Sequence, residues 1–110
     1  MIESRELLQR VDIEPPALQA WIDAGWLRPR RVGGSFAFEA IDLARAELIH
    51  DLIQDLGVND EGVSIALYLV DQIHDLRRIL GSAVRAIHEE DAATRARIVA
   101  AIWRARAQGE

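Results

Sequence analysis

The chain has 110 residues, half of them hydrophobic and 28% charged, with a formal net charge of -5 and no cysteine. That length supports one modest core, and the balance excludes global disorder. The missing thiols exclude disulfides, thiolate zinc sites and cysteine nucleophiles together.

Ser4 to Val11 has Leu7, Leu8 and Val11 at helical spacing, with Ser4 as its expected cap. Asp12 to Pro16 is a turn, and a second helix is expected from about Pro16 to Ala24. Ala17, Leu18, Trp21 and Ile22 form its buried face, and Gly25 ends it. Two short helices joined in this way make a helix-turn-helix. After Trp26, Leu27 and Pro29, the pair Gly33-Gly34 supplies the positive φ of a tight hairpin, and Phe36 and Phe38 alternate as a half-buried strand.

A third helix is expected from a cap at Asp42 to about Leu56, with an apolar face through Leu43, Leu48 or Ile49, Leu52, Ile53 and Leu56. Glu47, Asp51 and Asp55 recur every four residues as an acidic ridge on its other side. Gly57 stops it, and Asn59 or Asp60 starts a fourth helix running to about Leu80. That helix carries two apolar stripes, Val63-Leu67-Val70 and Ile65-Leu69-Ile73-Leu76-Leu80, and so wants two neighbours. Gly81-Ser82 is a candidate break before an alanine-rich helix, Ala83 to Ala107, with a further start possible near Asp91. The expected organisation is mainly α: residues 1–41 as helix-turn-helix plus wing, 42–80 as two helices, and 81–110 as a C-terminal helical extension.

All 13 basic residues are arginine, and the acidity gathers in the middle, where residues 44–80 hold three Arg against seven acids. No run approaches the roughly 18 apolar residues of a membrane span, and Met1–Arg10 has no apolar signal region. A cytoplasmic protein without membrane contact is expected. No Gly-rich phosphate loop and no nucleophile elbow is present. His50, His74 and His88 lack metal-ligand spacing and read as solvated helix-surface residues, and Glu89-Glu90-Asp91 reads as a solvated charge run. No enzyme, cofactor or metal site is expected.

A wing beside a helix-turn-helix suggests DNA, and Arg28, Arg30 and Arg31 are the candidate contacts. The second helix argues against it. Its polar residues are Gln19 and Asp23, with no Arg or Lys, whereas recognition helices need base-reading side chains among phosphate contacts. Three arginines are a small electrostatic footprint in an acidic chain.

The succession of helix-turn-helix, Gly25-Trp26-Leu27-Arg28-Pro29, aromatic wing (Phe36, Phe38) and Asp42-Leu43 resembles the MerR-like winged-helix superfamily. Two of its features are replaced: the DNA-contacting Arg and paired Tyr around Gln19 to Ile22, and the wing Arg at Ala37. The next segment, with Leu56, Gly62-Val63, Ala66-Leu67, Leu69-Val70-Asp71, Ile73 and Leu76, is similar to the chaperone-modulator family CbpM. The resemblance covers roughly residues 2 to 80.

The CbpM resemblance implies a bacterial inhibitor that binds the J-domain of a DnaJ-like co-chaperone, CbpA. It would block stimulation of the Hsp70 (DnaK) ATPase and could hinder the co-chaperone's own DNA binding, so a nucleoid association would come through the co-chaperone. J-domains present a basic helix, and opposite charge steers encounter. Expected partner contacts are Asp51 and Asp55 on one ridge and Tyr68, Asp71, Gln72 and Asp75 on another. Ile65 and Leu69 are either apolar anchors or ordinary core. The alternative is a DNA-binding regulator using Arg28, Arg30 and Arg31. The C-terminal helix would pair two copies as a homodimer or fold back on the fourth helix.

Overall fold

The computed structural model describes residues 1–109, in the order β1 (Ile2–Glu3), α1 (Ser4–Val11), α2 (Pro15–Asp23), β2 (Arg30–Val32), β3 (Ser35–Phe38), α3 (Ala40–His50), a π-helical turn (Asp51–Asp55), α4 (Asp60–His88) and α5 (Ala92–Gly109). It is mainly helical with a small three-stranded antiparallel sheet in the order β1-β3-β2, the architecture of a winged helix-turn-helix. Two compact units divide the chain, Met1–Leu69 and the segment from Val70 onward.

In the first unit, α1 ends at Asp12, which takes the left-handed φ of 61° and donates its N–H to Leu8 O. Asp is among the few residues that adopt this conformation at small cost. Pro15 and Pro16 then open α2, where their missing N–H groups leave no helical bond unmade. Gly25, at φ 78°, lets the chain leave α2. The hairpin joins Val32 to Ser35 through Gly33 and Gly34 alone, at φ 57° and 83°. Two positive φ values in a two-residue loop are the mark of a type I′ turn, whose twist matches that of its strands.

The core gathers Leu7 and Val11 from α1, Leu18 and Trp21 from α2, Phe38 from β3, Ala46 and Ile49 from α3, and Val63 and Leu67 from α4, together with Trp26 and Leu27. Phe38, Leu7, Leu27, Ile49 and Val63 are the largest side chains fully withdrawn from water. Trp26 is held through both its side chain and its backbone carbonyl. Its indole N–H donates to Ser64 Oγ at 2.9 Å, and its carbonyl accepts from Arg45 Nε at 2.9 Å.

Several helix ends differ from expectation. Ser4 lies inside α1, because Glu3 is held extended by pairing with Ala37 and so becomes the N-cap. Asp42 sits at the third position of α3 rather than at its cap. It accepts the Glu39 N–H at 2.8 Å, the return bond of a capping box. The third helix reaches the expected region, but its last turn is a π-helix closed by Leu56 N–H to Asp51 O at 3.2 Å. Leu56, expected on the apolar face, is exposed. Asn59 caps α4 by accepting the Gly62 N–H at 2.8 Å. A Cβ on Gly62 would stand 2.5 Å from Val58 Cγ1, so any larger residue here would force the Val58 side chain to shift.

In the second unit, α4 runs through Gly81-Ser82 without a break. One helical glycine costs only about 1 kcal/mol, and Ser82 Oγ donates to the Arg78 carbonyl one turn back, at 3.2 Å. The interruption falls at Glu89–Asp91, and α5 starts afresh at Ala92. Asp91 accepts the Thr94 N–H at 2.7 Å. That backbone hydrogen bond, the main cause, holds the Asp91 carboxyl below the ordinary carboxylate range.

Candidate functional site

The wing is well formed but sparsely basic at its tip. Arg28, Arg30 and Arg31 are all exposed. Arg31 faces Phe36 across the ladder, and its guanidinium lies over that ring, 4.8 Å from the centroid. The stacking holds one of the three arginines against the sheet. On α2, Leu18 and Trp21 point into the core and leave Gln19 and Asp23 outside. Gln19 Nε2 donates to Asp23 Oδ1 at 2.9 Å, so the outward face of this helix presents an acid and an engaged amide.

The three acids expected as a ridge are divided between the third helix and its π turn. Glu47 lies in α3, Asp51 and Asp55 lie in the π turn, and all three face solvent.

Along α4 the two apolar stripes part company. Val63 and Leu67 are buried, whereas Ile65, Tyr68 and Leu69 are exposed by 61%, 61% and 54%. Ile65 and Leu69 therefore do not serve as core. Periodicity marks an apolar face, but a neighbour must be present to cover it, and here only one stripe has a neighbour within its unit. Gln72 and Asp75 are exposed further along α4. Asp75 pairs with Arg78 at 2.8 Å, a surface contact of small energetic weight. Asp71 also has an interaction and is half-buried, so it is less exposed than Gln72 and Asp75. The exposed stripe continues through Ile73, Leu76 and Leu80. On α5, Val99, Ile102 and Trp103 are also exposed, with Arg106 stacked 5.3 Å from the Trp103 ring centroid.

Two features have no signal in local spacing. Arg45 and Ser64 hold Trp26 from 19 and 38 residues away. His50, expected on the helix surface, is half-buried and lines a cleft with Trp21 and Ile53. Among the described residues, no group of three or more acids and histidines is placed to hold a metal ion. No helix among them is long and apolar enough to cross a membrane.

A family model described as MerR HTH family regulatory protein matches residues 2–82, from β1 into α4. No solved structure matches the chain.

Proposed function

The chain belongs to the MerR HTH family of regulatory proteins, which is not an enzyme family, and from that premise we propose that it regulates by binding a protein rather than by catalysis. The proposed target is the J-domain of a CbpA/DnaJ-like co-chaperone, and the effect is to stop that J-domain from stimulating the DnaK ATPase. The observation that carries this is the exposed face of α4, where Ile65, Tyr68 and Leu69 stand in solvent beside Gln72 and Asp75. Exposed apolar and aromatic side chains flanked by acids are what a basic helical partner requires. The apolar groups supply affinity, and the charges supply on-rate and register. Asp51 and Asp55, exposed on the π turn, are the second acidic surface the proposal assigns to the partner. The CbpM-like residues Gly62, Val63, Ala66 and Leu67 support the same choice of target. The proposal places the protein in the bacterial cytoplasm and gives α5, with its exposed Val99, Ile102 and Trp103, the role of pairing two copies.

DNA is the weaker partner on this geometry. Recognition helices put cations and base-reading amides outward, whereas α2 puts Asp23 there with Gln19 bonded to it. The functional test is DnaK ATPase turnover stimulated by the co-chaperone. Adding the chain is expected to return turnover to the rate of DnaK alone, and the effect should saturate at one chain per J-domain. Stimulation that persists with excess chain contradicts the proposal.

A further inference from the structure

A cleft of about 430 Å³ opens in the first unit between the α1–α2 turn, α2 and the π turn. Ile13, Trp21 and Ile53 give it an apolar lining, to which the exposed Asp12 and Glu14 and the half-buried His50 contribute polar groups. The volume falls within the range of ligand-holding clefts. His50 also lines an adjoining hollow with Glu47 and Asp51. Arg10 borders that hollow, but its guanidinium is held by Glu6 at 3.2 Å. Among the described residues, the side chains of Asp12 and Glu14 have no hydrogen bond or ion pair. The cleft forms where the third helix widens: Ile53 and Gln54 on its far side belong to the π turn. Such turns are rare and sit frequently at functional sites.

We propose that this cleft receives the side chain of an arginine or lysine presented by a protein partner. An apolar lining that also carries acidic groups suits a group with a greasy stem and a charged end. It does not suit a bare metal ion, which needs several converging oxygen or nitrogen ligands. The stem would lie against Ile13, Trp21 and Ile53, and the cation would sit between Asp12 and Glu14. This inference does not depend on the J-domain proposal, since any partner offering a basic side chain would satisfy it.

The test uses the full chain and benzamidine, an aromatic cation that mimics stem and charge together, followed by NMR. Neutral benzamide is the matched control. At millimolar concentration benzamidine is expected to shift the Trp21 indole, the His50 ring and the Ile53 amide, and benzamide to bind about tenfold more weakly. The double variant Asp12→Asn, Glu14→Gln should weaken benzamidine binding by about tenfold. It should also fold, because Asn accepts the left-handed φ at position 12 and Glu14 makes no side-chain capping bond that Gln would lose. Absence of shifts, shifts outside the cleft, equal binding of benzamide, or an unchanged affinity in the folded variant would each overturn the proposal. Because J-domain binding is measured separately, failure here leaves the proposed function standing, and the converse also holds.

Discussion

Trp26→Ala is expected to lower the unfolding free energy by about 3–5 kcal/mol, a large part of the roughly 5–15 kcal/mol available to a domain. Trp26 is 7% exposed and belongs to the continuous core. Its truncation would leave a cavity in that core, which the surrounding side chains would only partly fill. The single side-chain hydrogen bond of Trp26 sets the scale of the comparison. Ser64→Ala removes only the acceptor of the indole N–H, and because Ser64 is exposed, water can replace it. That change should cost about 1 kcal/mol or less. Urea denaturation followed by far-ultraviolet circular dichroism measures both. A loss below about 1 kcal/mol for Trp26→Ala would mean that this side chain does not support the core.

The second large effect concerns binding. Tyr68→Ala combined with Asp75→Arg should weaken J-domain affinity by about a hundredfold or more, since buried aromatic anchors and reversed charges each commonly cost around 2 kcal/mol at an interface. Stability should change little. Tyr68 is exposed, and the Asp75–Arg78 pair lies in solvent. Both positions are more exposed than the half-buried Asp71, and the one contact the variant breaks, Asp75–Arg78, is a surface pair of small weight. Calorimetric titration of the variant, with its melting temperature as control, separates lost contacts from lost fold. Unchanged affinity in a folded variant would remove this face of α4 from the interface.

The parts of the fold that were legible in the sequence rest on local chemistry. Gly33-Gly34 announces a hairpin because only glycine takes two consecutive positive φ values cheaply. Gly25 and Asn59 mark a helix exit and a helix entry for equally local reasons. What escaped depends on distant partners. β1 is two residues long and exists only because Phe38 and Ala37 are there to pair with it. That pairing in turn moves the α1 cap from Ser4 to Glu3. Gly81 looked like a break, yet α4 has 29 residues and absorbs it.

The candidate site shows the same division. The acidic spacing of Glu47, Asp51 and Asp55 was visible, but the π turn that carries the last two has no sequence signature. The Ile65–Leu69 stripe was equally visible as apolar, while its exposure depends on which neighbours the fold supplies. The cleft around His50 joins residues from the α1–α2 turn and the π turn, some 40 positions apart, and no motif spans that distance.

The most direct measurement is calorimetric titration of the full chain with the isolated J-domain of a CbpA-like co-chaperone from the same organism. The proposed function predicts one-to-one binding with a micromolar or tighter dissociation constant, about -8 kcal/mol or better. No measurable binding at J-domain concentrations well above micromolar would contradict it and turn attention to the arginines of the wing.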